Sequence, residues 1–91
     1  MEIAASDLEG LGAYKLLTGC VVPRPIAWIT SVSGEGVVNL APFSCYTIAS
    51  TDPPMLGVSI GPRGKGLKDT SRNILESREF VVNIATADQV E

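Results

Sequence analysis

The run Lys68-Asp69-Thr70-Ser71-Arg72-Asn73 (KDTSRN) sets a cation, a hydroxyl and an amide directly behind a glycine-rich stretch, Gly61-Pro62-Arg63-Gly64-Lys65-Gly66. A loop of this kind feeding a helix leaves the first backbone N–H groups of that helix without intrahelical partners. Those donors, with the positive end of the helix dipole, favour a phosphate. Lys68 adds charge, Thr70 adds a hydroxyl donor, and Asn73, one turn on, offers an amide to neighbouring ligand oxygens. Asp69 suits the N-cap of the same helix. Thr70 and Asn73 also have a plainer reading, as helix capping and surface polarity. The charge distribution favours the anion: Arg63, Lys65, Lys68 and Arg72 face one acid, Asp69, within residues 63–72 of a chain whose net charge is −3. One short basic patch on an acidic chain suits a small anion such as a phosphate monoester, not nucleic acid. The alternative is a solvated loop with scattered cations.

A second group is Asn39-Leu40-Ala41-Pro42-Phe43-Ser44 (NLAPFS). Pro42 has no backbone donor, so it is expected to break the strand ladder and leave neighbouring backbone groups free to face a ligand. Phe43 and Tyr46 either wall a pocket or fill the core, and Ser44 and Thr47 bring hydroxyl donors. Arg24 sits on a stiff extended segment, Val22-Pro23-Arg24-Pro25, where it could meet a ligand anion or form a surface or subunit salt bridge. Trp28 reads as core or subunit contact. Cys20 and Cys45 show neither a resolving partner nor a sign of a depressed thiol pKa and read as buried, inert thiols.

The chain contains no histidine. That removes the commonest general base and the Ser–His and Cys–His nucleophile pairs. Two cysteines and no histidine make a protein-ligated zinc site improbable and supply no disulfide framework. Chemistry carried by an organic cofactor fits better. The sequence has no apolar run of transmembrane length and no secretory leader, so the expectation is a soluble cytoplasmic protein with no membrane contact. An apolar content of 45% against 19% charged residues is high for a small monomer and points to an apolar interface. A chain of 91 residues is at most one domain, and it gains from a partner subunit or a bound cofactor.

The elements that must position these groups are mostly strands. Residues 1–12 read as a flexible N-terminal segment, and Tyr14–Cys20 as a short amphipathic stretch, helical or extended. Ile26–Val32 (IAWITSV) is β-branched and aromatic, a strand. Ser33-Gly34-Glu35-Gly36 reads as a hairpin turn, with Val37–Leu40 as the return strand. Cys45–Ala49 and Met55–Ile60 are further strands on either side of a turn at Ser50–Pro54. A short helix runs from Lys68 or Asp69 to Ser77, with Leu67, Ile74 and Leu75 as its buried side. Glu79–Ala85 is the last strand. Five short strands and one helix imply a mainly β, antiparallel barrel or half-barrel.

Four blocks together carry a resemblance: Tyr14–Thr30 (YKLLTGCVVPRPIAWIT), Asn39–Ser44 (NLAPFS), Ser50–Pro54 (STDPP) and Lys68–Asn73 (KDTSRN). In order and spacing the chain resembles the flavin reductase-like domain family, over roughly residues 12–91. The resemblance implies a split β-barrel that binds FMN, with residues 13–91 as the N-terminal part of the domain and the C-terminal part of the barrel absent. It implies an FMN-dependent oxidoreductase that passes electrons from NAD(P)H through FMN, and a homodimer. It implies no catalytic side chain. The cofactor contacts carried over are Thr30, Ser31, Asn39, Ala41, Pro42, Phe43, Ser44, Thr47, Lys68, Asp69, Thr70 and Asn73. Lys68 and Thr70 would hold the phosphate, Asn73 the ribityl or phosphate oxygens, and Asn39–Ser44 would pass beside the isoalloxazine. The alternatives are an FMN-binding electron-transfer protein with no NAD(P)H activity of its own, and an inactive fragment of such a domain. The related pyridoxamine-phosphate oxidase-like split barrel matches KDTSRN less well.

Overall fold

A computed structural model describes residues 2–63 and 66–89; Met1, Val90 and Glu91 lie outside it, as do Gly64 and Lys65 of the expected loop. In chain order the elements are α1 (Gly10–Cys20), β1 (Ala27–Val32), β2 (Val38–Phe43), β3 (Tyr46–Thr51), β4 (Pro54–Val58), α2 (Asp69–Ser77) and β5 (Val81–Asn83). Single 3₁₀ turns at Ala5–Asp7 and Ala87–Gln89 flank them. The sequence reading has one helix; the structure has two, because α1 begins at Gly10 and takes in the whole Tyr14–Cys20 stretch.

The strands form two antiparallel sheets, β2–β1–β5 and β3–β4. β1 is central, with Ile29 opposite both Ala41 of β2 and Val82 of β5. Side chains alternate across the sheet. Ala27, Ile29 and Ser31 are buried on the face that meets α2, while Trp28, Thr30 and Val32 stand on the other face. The core is small: Ala27, Ile29 and Phe43 are buried, with Ala41, Tyr46, Val58, Ile60 and Val82 packed against them. The β1–β2 connection is the expected turn, closed by Ser33 N–H to the Val37 carbonyl at 2.9 Å and by Gly36 N–H to the Ser33 carbonyl at 2.9 Å. Gly36 has φ +84, which a side chain would strain.

Three expectations need correcting. Pro42 does not end the strand, because β2 runs through it with Pro42 opposite Trp28. β2 is an edge of its sheet, where a missing N–H on the outer side breaks no ladder. In α2 the buried face is polar. Thr70 and Asn73 are each 2% exposed, whereas Leu67 and Leu75 are exposed. The reason lies opposite the helix: the ends of β1 and β2 over which it sits present Ser31 and Asn39, and polar groups there need polar partners. Asp69 is the first helical residue and not the cap; Lys68 is the N-cap and no side chain caps the helix.

Candidate anion and cofactor site

α2 is held to the sheet by two side-chain hydrogen bonds. Asn39 Nδ2 donates to Thr70 Oγ1 at 2.9 Å, and Asn73 Nδ2 donates to Ser31 Oγ at 3.2 Å. A buried bond of this type contributes about 1 kcal/mol, and removing one partner costs about 1–3 kcal/mol. The seam therefore fixes where the N-terminus of α2 points. Asn73 Oδ1 is buried with no partner among the described residues.

With α2 in place, its first turn borders a cavity of about 280 Å³ lined by Asn39, Ala41, Pro42, Phe43, Arg63, Lys68, Asp69 and Thr70. The Lys68 ammonium lies 5.8 Å from the centroid of the Phe43 ring, a cation–π contact that keeps the charge over the cavity wall. Arg63 is placed by a tight backbone bridge: Arg63 N–H to the Gly66 carbonyl and Gly66 N–H to the Arg63 carbonyl, each 2.9 Å. Asp69 does not neutralise Lys68; its carboxylate pairs with Arg72 at 2.5 Å on the helix surface. Two cations, a helix N-terminus and a hydroxyl thus converge on one concavity. That donor set fits a phosphate monoester.

The twelve sequence-derived contacts divide by place. Asn39, Ala41, Pro42, Phe43, Lys68, Asp69 and Thr70 share this cavity. Ser31 and Asn73 lie in the buried seam beneath α2, where they hold the helix to β1. Ser44 and Thr47 line a separate cleft of about 400 Å³ between the end of α1 and β3, with Arg24, Cys45 and Tyr46. Thr30 is on the other face of the sheet, beside Trp28, Leu40 and Asn83. Arg63 is the residue that the motif reading left out of the site. Its membership of the basic cluster was the available signal, but only the Arg63–Gly66 bridge brings it to the cavity.

Arg24 has a different job from either of the expected ones. Its Nη1 donates to the Thr18 and Val21 carbonyls at 2.8 and 2.9 Å, closing the C-terminal end of α1. Its Nε is buried without a partner among the described residues. Cys20 and Cys45 are free thiols as read, but both are exposed where burial was expected: Cys20 ends α1 and Cys45 lies in the turn before β3, and neither is covered by another element. No group of three or more His, Cys, Asp or Glu among the described residues is placed to hold a metal ion, and no described helix is long and apolar enough to cross a membrane.

Two antiparallel sheets with α2 packed on one of them match the flavin reductase-like split-barrel fold. The chain belongs to the flavin reductase like domain family, whose model matches residues 18–91. Its backbone superposes on nitrilotriacetate monooxygenase component B from Bacillus cereus with a TM-score of 0.85 and 45% identity, over 93% of this chain and 43% of that one. It superposes on the 2-nitrobenzoate 2-nitroreductase NbaA of Pseudomonas fluorescens with a TM-score of 0.81 and 40% identity, over 97% of this chain and 42% of that one. An uncharacterized protein of Aquifex aeolicus (strain VF5) is 41% identical over 92 residues, which are 47% of its length. The chain spans less than half the length of the relatives it matches.

Proposed function

We propose that the chain binds FMN, with the phosphate in the cavity at the N-terminus of α2 and the flavin ring toward Asn39–Ser44, as part of an oxidoreductase that takes electrons from NAD(P)H. The observation that carries this reading is the convergence of Arg63, Lys68 and Thr70 on one cavity whose opposite wall is the NLAPFS strand. At about 280 Å³ the cavity is smaller than the roughly 300–1,000 Å³ of sites that enclose a whole ligand, so it suits the phosphate and its attached chain, with the ring beyond it. FMN, when bound, supplies the hydride and electron chemistry.

The protein's own groups bind and orient. Lys68 and Arg63 offset the phosphate charge. Phe43 backs the Lys68 ammonium and gives the site an apolar floor. Asn39 has a double role, since its amide holds Thr70 and its backbone lies on the strand that borders the ring. Backbone N–H and C=O groups on the free outer side of β2 are suited to read the polar rim of a flavin. No side chain is required as an acid or base, in keeping with a chain that lacks histidine.

The likeness to a monooxygenase component and to a nitroreductase supports a redox role. A homodimer is the expected assembly, with the open face around Val32, Val38, Leu40 and Val81 as apolar surface for it. The test adds FMN to purified chain and follows the flavin absorption band and fluorescence. A shifted band with quenched emission is the expected result, and free-flavin behaviour at saturating protein would refute it. NAD(P)H oxidation by the FMN-loaded protein then separates an oxidoreductase from an electron carrier reduced only by another protein.

A further inference from the structure

Capping α1 uses one nitrogen of Arg24 and leaves the rest of its guanidinium uncommitted. Nη1 is held by the Thr18 and Val21 carbonyls, which fixes the plane of the group. Nε and Nη2 have no hydrogen-bond partner among the described residues, and Nε is closed off from solvent. Arg24 is half-buried and lines the cleft of about 400 Å³ between the end of α1 and β3. No acidic side chain lines that cleft, and Arg24 forms no ion pair among the described residues. A half-buried charge without a counter-charge is destabilising, and an arriving anion relieves that cost. We propose that the cleft binds a small organic carboxylate with a flat apolar body, its charge on Arg24 and its body between the walls of α1 and β3.

Three observations set that chemistry. First, the walls are apolar: Leu17 and Val21 at the end of α1, Pro23 and Pro25 in the segment that follows, and Tyr46 at the start of β3. A volume of about 400 Å³ falls in the roughly 300–1,000 Å³ range of sites that enclose a small molecule, which leaves room for one or two rings. Second, Ser44 and Thr47 line the cleft, and their hydroxyls make no hydrogen bond among the described residues. Both are free to donate to the carboxylate oxygen that Arg24 does not take. Third, the cleft lies at the C-terminal end of α1, where the carbonyls carry the negative end of the helix dipole. A phosphate dianion is disfavoured there. One arginine, part of its charge already offset by two carbonyls, suits a single negative charge.

This cleft and the phosphate cavity share no lining residue. They meet only along the chain, where Phe43 walls the cavity and Ser44 walls the cleft. The carboxylate site therefore stands independently of the FMN assignment.

The experiment uses Cys45 as a reporter. Cys45 lines the cleft, Cys20 lies outside its lining, and both thiols are exposed. Alkylation by iodoacetamide, a neutral reagent, is followed at each cysteine by peptide mass spectrometry. The additives are benzoate, benzamide (the same ring without the charge) and acetate (the charge without the ring). A ligand as small as benzoate binds with a Kd on the order of 1 mM, so about 50 mM saturates the site. At that concentration benzoate is expected to slow alkylation of Cys45 by about fivefold or more and to leave Cys20 unchanged, whereas benzamide and acetate slow Cys45 by less than about twofold. Thr47 is exposed on β3 opposite Gly57, so Thr47→Glu is expected to keep the fold. Its carboxylate competes for Arg24 from within the cleft and is expected to abolish protection by benzoate. Arg24→Gln removes the charge and keeps a donor for the α1 carbonyls; it too is expected to abolish protection. Far-UV circular dichroism reports whether α1 survives that change, and Thr47→Glu decides where it does not. A Cys45 rate untouched by benzoate would overturn the proposal. So would equal protection by benzamide, or protection that persists in Thr47→Glu. Protection of Cys45 by FMN alone that benzoate does not extend would assign the cleft to the flavin and overturn it as well.

Discussion

β1 lies between two strands and beneath α2, whereas β3 and β4 have only each other as hydrogen-bonded neighbours. The consequence shows in the side chains. Along β1, Ala27, Ile29 and Ser31 are all buried, and Ile29 is 0% exposed. Along β3 no residue is fully buried, and Ile48 is 68% exposed. Both strands are apolar and β-branched, so composition does not separate them. The difference is whether the chain itself supplies the layer that covers the strand.

The contrast makes a direct demand on stability. Ile29→Ala is expected to lower the unfolding free energy by about 2–5 kcal/mol, the cost of an unfilled cavity in a packed layer. Ile48→Ala, an exposed site, is expected to change it by less than about 0.5 kcal/mol. Urea midpoints measure both, and equal losses would break the distinction between the two regions. The polar seam sharpens it. Thr70→Val strands the Asn39 amide and Asn73→Ala removes the bond to Ser31, each with an expected loss of about 1–3 kcal/mol. In a double-mutant cycle, Asn39→Ala with Thr70→Val is expected to show coupling of about 0.5–3 kcal/mol, because the two side chains share one bond. Additive losses would mean that the bond does not hold the helix.

Arg78 ends α2 in the left-handed region at φ 63, with its N–H on the Ile74 carbonyl at 2.8 Å. A side chain there costs about 1 kcal/mol, so Arg78→Gly is expected to raise the thermal midpoint. A lowered midpoint would show that the Arg78 side chain contributes to the fold. The smallest effect belongs to the ion pair of Asp69 with Arg72, whose side chains are about half exposed. Arg72→Ala is expected to shift stability by no more than about 0.5 kcal/mol, and high salt should erase the shift.

β1 is legible in the sequence because IAWITSV carries β-branched and aromatic residues at the right density, and it folds as Ala27–Val32. Glycine marks the following turn, and the KDTSRN helix runs Asp69–Ser77 as read. What the sequence conceals depends on what stands opposite. Apolar residues normally mark the buried side of a helix, yet α2 buries Thr70 and Asn73, because its partners are Ser31 and Asn39, 42 and 31 residues away in the chain. Pro42 reads as a strand breaker until the sheet order puts its strand at an edge. Ser44, Thr47 and Thr30 stand in or beside motifs with the right chemistry, but the alternation of the strands and the turn before β3 send them elsewhere. Arg63 joins the site through a backbone bridge that no motif encodes.

In the proposed site the labour is divided: Thr70 holds α2 to the sheet, while Lys68 at the N-cap and Arg63 in the preceding loop offer their charge to a phosphate. Titration of the chain with FMN and with riboflavin, which lacks the phosphate, tests it most directly when repeated with Lys68→Gln. The account predicts that FMN binds about tenfold or more tightly than riboflavin, as charge-assisted hydrogen bonds to a dianion require, and that Lys68→Gln removes most of that advantage without moving the thermal midpoint. Equal affinity for the two flavins, or an advantage untouched by Lys68→Gln, would contradict it.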